Sequence, residues 1–526
     1  MDASTGHPKR RSILAVMCLS LLIVVIDSTI LNTAVPTLAR VLKASTSDLQ
    51  WITDAYSLVF AALLIVAGAL GDRYGRRRTL LLGLGIFGAG SVAAALSGGT
   101  SMLIATRAVM GLGAAFVMPS TLSIINAVFP VRERAGAIGA WSAVAGLGVV
   151  AGPTFGGLLL NHFYWGSVFW LNVPLVAAAM LAAVLVVPDL PGNRTGARLD
   201  VLGAVLSAAG LVALVDAVIE GPDRGWGSAR TLAVGAAGVA LIAGFIAREL
   251  TAKNPLLDVR VFTHRAFSAA AGAISVTLFA LFGSLFALTQ YLQLVHGYSP
   301  LAAGVRALPF AAGVAVVAPA SSVLVRAVGA RVIIPLGLSA MAAGLFVLSQ
   351  LQTASGYGIV AVGIAVMGVG MGLILAPAGE SILSVLPPEQ AGVGSAMNDT
   401  MQELGGSLGV AVIGSVVSAS FRHGMDTSGL PATLLQTARP SVASADAVAA
   451  HAGPAAGRLL EVAHHSFTTA MTGGFAVAGS VAVVGAVLAA IALPGRPAGT
   501  AGQTTMLDAG ELPADAGQLS RDPVLV

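Results

Sequence analysis

The sequence predicts an all-α polytopic membrane protein with fourteen transmembrane helices, arranged as two six-helix halves plus two extra central helices. Three observations lead to this prediction. Of 526 residues, 56% are apolar and only 10% are charged, whereas soluble domains average about 45–50% and 25%. Apolar stretches of at least about 20 residues, long enough to cross a bilayer as helices, recur along the whole chain. Short motifs also repeat at a spacing of about half the chain.

Fourteen apolar stretches give the predicted spans. The first six lie near residues 13–35, 51–71, 79–98, 102–124, 137–160 and 167–187. Two more lie near 200–219 and 231–248, and the last six near 267–290, 302–325, 332–350, 357–378, 391–418 and 467–493. The stretch 391–418 departs most from the pattern, because Asp399 and Glu403 lie inside it.

The distribution of Lys and Arg predicts the orientation. If the N-terminus is cytoplasmic and the spans alternate, 19 of the 28 basic residues lie on the cytoplasmic side and 7 lie outside. The remaining two, Arg107 and Arg306, lie in or at the edge of spans. Cytoplasmic loops of membrane proteins carry an excess of Lys and Arg. We therefore expect a multi-pass protein of the cytoplasmic membrane with both termini inside.

An internal repeat supports the division into halves. Gly75-x-Arg77 and Gly83 recur as Gly329-x-Arg331 and Gly337, at an offset of 254, and a similar echo joins Pro119 to Pro377. Many transporters build their central site between such repeats. The predicted parts are a cytoplasmic N-terminus 1–12, an N-terminal half 13–187, two extra helices 188–250, a cytoplasmic loop 251–265, a C-terminal half 266–493 with a long, mobile outer loop 420–465, and a disordered cytoplasmic tail 494–526.

The sequence argues against several functional classes. Its three lysines, Lys9, Lys43 and Lys253, do not form a Walker-type phosphate loop, so ATP-driven transport is not expected. The single Cys18 permits neither an internal disulfide nor a cysteine metal cluster. The basic residues lie in loops between spans and do not suggest a nucleic-acid partner. We expect no enzymatic activity, no cofactor and no metal ion.

The loop between the second and third spans reads Gly68-Ala69-Leu70-Gly71-Asp72-Arg73-Tyr74-Gly75-Arg76-Arg77. It resembles the signature Gly-x-Leu-small-Asp-Arg-x-Gly-Arg-Arg of the major facilitator superfamily. The resemblance implies the major facilitator fold, and a conformational latch formed by Gly68, Asp72, Arg73, Gly75, Arg76 and Arg77. The alternative is an arginine-rich topology signal, which accounts for neither Asp72 nor the glycine spacing.

The fourth span contains Leu103-x-x-x-Arg107-x-x-x-Gly111-x-Gly113. This resembles the superfamily's membrane-buried arginine motif, with Met110 where Gln is usual. In the family this arginine takes part in proton handling by tuning a nearby acid. An arginine inside a span is costly and should face a cavity or a carboxylate. The alternative is a side chain that reaches the interface.

The fifth span carries small residues and a proline at Gly148, Gly152, Pro153, Gly156 and Gly157. This pattern resembles the motif that distinguishes the superfamily's drug:proton antiporters from its symporters. Small residues at this spacing allow close helix contact, and proline bends the helix. The alternative is a packing face with no role in the direction of transport.

Several intramembrane acids complete the resemblance. Asp27 lies in a segment similar to the signature of the fourteen-span branch, and Asp54 follows in the second span. Glu380, Asp399 and Glu403 lie in the second half. Taken together, these segments resemble exporters of quaternary ammonium compounds and other lipophilic cations. The resemblance covers about residues 13–493.

These acids suggest how transport would be driven. A carboxylate in lipid costs about 2.5–3.5 kcal/mol on insertion scales, so each acid should face water, a proton or a cation. Asp399 and Glu403 are four residues apart and share one helix face. We expect Asp27 to bind a proton or a cation with Arg107 as modulator, and Glu380, Asp399 and Glu403 to recognise substrate charge. Asp54 is either an exit or second cation site, or a solvated helix end.

The predicted function is a proton-coupled antiporter that exports lipophilic, often cationic, drugs or antiseptics and confers multidrug resistance. Its partners would be small-molecule substrates, protons and the lipid bilayer. A close alternative is a dedicated exporter of an endogenous antibiotic or metabolite. A nutrient symporter fits the Gly152-Pro153 motif poorly, and a sensor or scaffold would not explain several intramembrane acids.

Overall fold

The computed structural model describes residues 7–190, 200–252, 259–385 and 391–493, and all their regular structure is helical. The predicted tail 494–526 and part of the predicted N-terminus 1–12 lie outside these residues. The helices, in chain order, are α1 Arg10–Val41, α2 Thr46–Tyr74, α3 Arg76–Ala95, α4 Thr100–Val128, α5 Val131–His162, α6 Ser167–Trp170, α7 Asn172–Val186, α8 Val201–Ile219, α9 Gly221–Arg224, α10 Ala229–Thr251, α11 Arg265–Gln290, α12 Pro300–Val305, α13 Leu308–Val328, α14 Ala330–Leu348, α15 Tyr357–Val385, α16 Ala391–Asp426, α17 Ala432–Ala438, α18 Val442–Ala449 and α19 Ala456–Ala492.

Thirteen helical segments among the described residues are long and apolar enough to cross a membrane. The remaining predicted span coincides with α2, whose 29 residues give a length of about 44 Å. α6 and α7 together form one span, as do α12 and α13. The structure therefore agrees with the predicted all-helical fold and with its fourteen spans.

Close contacts show that the two halves repeat the same packing. In the first half, a Cβ added to Gly111 would overlap the Tyr56 carbonyl. In the second half, a Cβ added to Gly368 would overlap the Phe310 carbonyl in the same way. Tyr56 and Phe310 are separated by 254 residues, which is the offset seen in the sequence. The tight turns that precede α3 and α14 also correspond, at Gly75 (φ 107°) and Gly329 (φ 87°). Glycine adopts this backbone conformation without steric cost.

The halves touch at the predicted outer end of the bundle. Gln50 of α2 is fully buried and donates through Nε2 to the carbonyls of Ala411 (2.8 Å) and Val410 (3.1 Å) in α16. Gln293, which follows α11, donates to the Thr33 carbonyl of α1 at 2.9 Å. Buried amides that bridge two helices fix them together, because breaking the bond would leave the donor unsatisfied.

The predicted cytoplasmic end is open. Val323 and Val328 of α13 are exposed. Gly136 and Gly139 of α5 have no atom within 4 Å of an added Cβ. These two helices therefore lie apart at this end, although α5 and α12 pack closely at the other. Among the described residues, the bundle is closed at the predicted outer end and open at the predicted cytoplasmic end.

The outer loop is shorter than the sequence predicts and contains two short helices. The predicted loop 420–465 is too wide, since α16 continues to Asp426 and α19 begins at Ala456. The intervening segment contains α17 and α18, and it buries Val442 and Ala445. The Ser441 side chain caps α18 by accepting from the Ser444 amide. The small side chains that are abundant in this segment allow its helices to pack closely.

Candidate functional site

A buried ion pair lies in the middle of the N-terminal half. Asp27 Oδ2 on α1 is 2.5 Å from Arg107 Nη1 on α4. Asp27 is 0% and Arg107 1% exposed. The structure thus brings together two residues predicted to work together, and Arg107 does not reach the membrane interface. A buried charge is tolerated only when paired and hydrogen-bonded.

Side chains from three further helices hold this pair. Asn172, at the start of α7, donates through Nδ2 to Asp27 Oδ1 at 2.8 Å and to Ser91 Oγ at 3.1 Å. Arg107 Nε donates to the Ile52 carbonyl of α2 at 3.2 Å. The Arg107 guanidinium lies 4.3 Å from the centre of the Tyr56 ring, a cation–π contact. The arginine is therefore held by a carboxylate, a carbonyl and a ring.

Glycine on α4 makes this geometry possible. Gly111, one turn after Arg107, lies so close to the Tyr56 carbonyl that a Cβ would overlap it. Gly113 packs against the Phe87 backbone of α3 in a similar way, at 2.5 Å from an added Cβ. With α2 and α4 at this separation, Arg107 reaches both the Ile52 carbonyl and the Tyr56 ring. The glycines near Arg107 thus allow the backbones of α2 and α3 to lie close to α4.

The predicted antiporter motif on α5 packs against the helix that carries Asp27. A Cβ at Gly148 would lie 2.8 Å from Val25, and one at Gly152 would overlap Thr29 Oγ1. Gly156 faces Ile30 of the same helix at 2.7 Å.

The same motif also touches the other half. A Cβ at Gly157 would lie 2.5 Å from Leu301 Cα, and one at Gly304 of α12 would overlap the Pro153 carbonyl. The motif therefore links α1 of the N-terminal half to α12 of the C-terminal half at the predicted outer end.

Asp54 is fully buried in α2 at the contact with α16. The Ser407 hydroxyl of α16 is the side chain that faces it. Neither Asp54 carboxylate oxygen has a hydrogen-bond partner in the described structure, and the same is true of Ser407 Oγ. The structure therefore contradicts the alternative prediction that Asp54 lies at a solvated helix end.

Glu403 and Asp399 lie on α16 and are both half-buried. Glu403 faces Ser57 of α2, so it lies across from the N-terminal half. Asp399 Oδ1 accepts from Asn398 Nδ2 at 3.2 Å. Glu380 is exposed and lies near the C-terminal end of α15, which is its predicted cytoplasmic end. Of the three acids, Glu403 is therefore the one placed at the contact between α2 and α16.

Two arginines of the loop motif donate hydrogen bonds to backbone carbonyls of the N-terminal half. Arg76 Nη1 donates to the Ser123 carbonyl near the end of α4 at 3.0 Å, and Arg77 Nη2 to the Val184 carbonyl near the end of α7 at 2.7 Å. Cations at the C-terminal ends of helices are favourable. Gly68 packs against Pro119, at 3.5 Å from an added Cβ, and Arg73 lies over the Tyr74 ring at 5.6 Å. The Asp72 side chain lies outside the described part of the structure.

Sequence reasoning missed Asn172 and Ser91. A single Asn between apolar residues was the available signal, because polar side chains inside spans usually find a specific partner. In the structure, Asn172 fixes the orientation of the Asp27 carboxylate. The Ser91 hydroxyl, which accepts from Asn172, donates in turn to the Phe169 carbonyl at 2.8 Å. Within the described residues, no group of three or more His, Cys, Asp or Glu side chains is arranged to hold a metal ion.

The comparison with protein families agrees with this geometry. The model of the Major Facilitator Superfamily matches residues 17–410, which is most of the chain. The chain belongs to the Major Facilitator Superfamily. The predicted family and fold are therefore confirmed, and the protein is a multi-pass membrane transporter of that superfamily.

Several curated relatives match along nearly their whole length. The tetracenomycin C resistance and export protein of Streptomyces glaucescens is 36% identical, and the match covers 92% of each chain. The methyl viologen resistance protein SmvA of Salmonella typhimurium is 35% identical over 90% of this chain and 96% of that protein. The multidrug efflux pump LfrA of Mycolicibacterium smegmatis is 34% identical over 92% and 97%.

A solved structure shares the fold of this superfamily member. The crystal structure of a bacterial homolog of the human lysosomal transporter Spinster, in an inward-facing and unoccupied conformation, has a TM-score of 0.67. The match covers 92% of this chain and 98% of that chain at 18% identity. At this identity the likeness extends to the fold alone.

Proposed function

We propose that this protein is a proton-coupled antiporter of the cytoplasmic membrane that exports lipophilic, often cationic, drugs or antiseptics. The observation that carries the proposal is the set of carboxylates inside the bundle. Asp27 is paired with Arg107, Asp54 is buried with no hydrogen-bond partner for its carboxylate oxygens in the described structure, and Asp399 and Glu403 are half-buried. A proton and a cation can compete for such groups, because each neutralises the same negative charge.

The names of the relatives support this proposal. SmvA is named for resistance to methyl viologen and LfrA as a multidrug efflux pump. Methyl viologen is a flat organic dication, the kind of molecule that buried or half-buried carboxylates would recognise.

The proposed cycle uses the two classes of acid differently. A cation enters from the open cytoplasmic end and is attracted by Glu380, Asp399 and Glu403. Binding of the cation displaces a proton from the carboxylates inside the bundle. The two halves then rock to the outward-open state, where protons from outside return to the carboxylates and the cation leaves. Asp27 and Asp54 then carry protons inward. The proton gradient drives the cycle, so neither ATP nor a cofactor is needed, and both termini lie in the cytoplasm.

We further propose a latch role for the loop motif. In the described conformation, Arg76 and Arg77 bind carbonyls of their own half. When the cytoplasmic ends approach in the outward-open state, Asp72 and these arginines would hold the two halves together. The glycines Gly68 and Gly75 keep α2, α3 and α4 close enough for the arginines to share that interface.

The alternative function is a dedicated exporter of an endogenous antibiotic. The relative from Streptomyces glaucescens supports it, since that protein is named for resistance to and export of tetracenomycin C. A neutral or anionic substrate would make little use of Glu403 and Asp399, so substrate charge discriminates the two functions.

Transport into inverted membrane vesicles tests the proposal. Vesicles with an acidic interior are supplied with ethidium or methyl viologen, and both dye accumulation and the internal pH are followed. Cation accumulation that consumes the proton gradient is expected, and it should stop when nigericin collapses the gradient. Accumulation that persists after collapse would refute proton coupling, and no accumulation across a panel of cations would favour the dedicated exporter.

A further inference from the structure

The two extra helices meet both halves of the transporter at the predicted outer end. α9, the short segment between α8 and α10, lies between α2 of the N-terminal half and α16 of the C-terminal half. Asp223 of α9 accepts a hydrogen bond from the Ser47 hydroxyl of α2 and forms an ion pair with Arg422 of α16. One carboxylate therefore binds both halves.

Neighbouring hydrogen bonds repeat this bridging pattern. Trp51 Nε1 of α2 donates to Glu220 Oε1, just before α9, at 3.2 Å. Ser415 Oγ of α16 donates to the Val218 carbonyl of α8 at 2.7 Å. The end of α8 and the residue before α9 are therefore also hydrogen-bonded to α2 on one side and to α16 on the other.

An apolar cluster lies beneath these polar contacts. It consists of Leu58 from α2, Val215 and Ile219 from α8, and Ala411 from α16, all 1% exposed or less. It is separate from the main core of the two halves. The side chains of the cluster come from α2, α8 and α16. Its burial therefore depends on these three helices remaining in contact.

Opening the carrier to the outside must separate these contacts. Gln50 already joins the outer ends of α2 and α16 directly. The contacts of α9 lie along the same interface between these two helices. Any movement of α16 away from α2 breaks either the Ser47–Asp223 bond or the Asp223–Arg422 pair, and it exposes the apolar cluster. The Arg422 side chain is 13% exposed, so this pair is better shielded than a surface ion pair.

We propose that the α8–α9–α10 hairpin is a clasp that holds the outer gate closed, with Asp223 as the residue that joins the halves. The clasp sets the balance between inward-open and outward-open states. It goes beyond the proposed function, because it does not depend on which substrate or ion is carried.

Distances between spin labels on the two halves test the clasp without substrate or proton gradient. Labels are placed on the cysteines introduced by Gly98→Cys and Gly356→Cys, in a Cys18→Ala background of the full-length protein. Both glycines lie in exposed outer loops, one in each half, and have no atom within 4 Å of an added Cβ. The test variants are Arg422→Gln and Asp223→Asn, which remove the same ion pair from opposite sides.

The matched control is Arg439→Gln, which removes the Arg439–Asp426 pair within the C-terminal half on the same face. We expect the ratio of long to short distances to rise about fivefold in both test variants and to stay unchanged in the control. The clasp is refuted if neither test variant shifts the distribution in monodisperse protein. It is equally refuted if Arg439→Gln shifts it as much, since the effect would then be general loosening.

Discussion

Asp27 on α1 and Arg107 on α4 lie 2.5 Å apart and are shielded from solvent almost completely. Asn172 holds the second carboxylate oxygen, and the Tyr56 ring covers the guanidinium. Every polar group around Asp27 therefore comes from the N-terminal half, while Glu403 and Asp399 lie half-buried on α16 of the C-terminal half. This division suggests that one half handles the proton and the other reads the charge of the substrate.

Replacing Asp27 by Asn should abolish proton-driven export. The amide keeps the size of the side chain but can neither ionise nor pair with Arg107. We expect accumulation in inverted vesicles to fall to the level of vesicles without the protein. Exchange of labelled for unlabelled substrate at equal pH should continue, because it needs no net proton movement.

The control for this variant is the amount and monodispersity of protein in the membrane, which should match the parent. Loss of one member of a buried pair can cost about 3–5 kcal/mol of stability. Gradient-driven export at parental rates in Asp27→Asn would remove this residue from the mechanism.

The Tyr56 ring should matter more than its hydroxyl. Tyr56→Phe keeps the aromatic face over Arg107, whereas Tyr56→Leu removes a cation–π contact worth about 0.5–2 kcal/mol. Because Arg107 would then be held less firmly beside Asp27, we expect the rate of gradient-driven transport in Tyr56→Leu to fall roughly fivefold.

Initial rates of transport into inverted vesicles check this prediction, and Tyr56→Phe serves as the matched control. A large loss of rate in Tyr56→Phe with none in Tyr56→Leu would contradict the ring's role. The Tyr56 hydroxyl, which has no hydrogen-bond partner among the described residues, would then be the group that acts.

Glu403 should contribute to recognition of substrate charge. In Glu403→Gln, we expect the apparent affinity for a divalent cation such as methyl viologen to fall roughly fivefold more than that for monovalent ethidium. The measurement is competition for transport in vesicles. Glu461→Gln, an exposed acid near the start of α19, is the control. Equal losses for both cations would argue that Glu403 has another role.

Gly152 should tolerate no side chain. In Gly152→Ala, the added methyl group would collide with Thr29 on the helix that carries Asp27. We expect the melting temperature and the transport rate both to fall. Gly146→Ala is the matched control on the same helix, because that position has open space. There, alanine should be neutral or stabilise the helix by about 0.5–1 kcal/mol. Equal effects at the two positions would refute close packing at Gly152.

Asp200 should stabilise the extra helices in a pH-dependent way. It caps α8 by accepting from the Gly203 amide at 3.0 Å and pairs with Arg248 of α10 at 2.9 Å. The Gly203 amide and Arg248 lower the pKa of the Asp200 carboxyl below its ordinary value. Its contribution is therefore present above the unfolded pKa, near pH 4, and is lost as the pH falls through the lower folded value.

In Asp200→Ala, we expect stability at pH 7 to fall by about 1–2 kcal/mol and the difference from the parent to shrink below about pH 4. Thermal unfolding in detergent measures it. Asp189→Ala is the control, since its contact with Arg78 is long and exposed. A difference that stays constant down to pH 3 would contradict the assignment.

Apolar length and loop charge were enough to predict the spans, and glycine spacing was enough to predict the repeat. These patterns work because a bilayer imposes length and apolarity on every helix. They do not say which faces of the helices meet. Asn172 could therefore not be linked to Asp27 from the sequence, because 145 residues separate the two. The bridging position of Asp223 was hidden for the same reason, and its segment reads as an ordinary polar turn.

The most direct test of the account is proton release on substrate binding. Purified protein in weakly buffered detergent solution is mixed with a saturating cationic substrate while a pH indicator is followed. We predict release of about one proton or more per cation bound, and an affinity that weakens as the pH falls. Cation binding with no proton release and no dependence on pH would contradict the claim that substrate binding is coupled to proton release from the carboxylates inside the bundle.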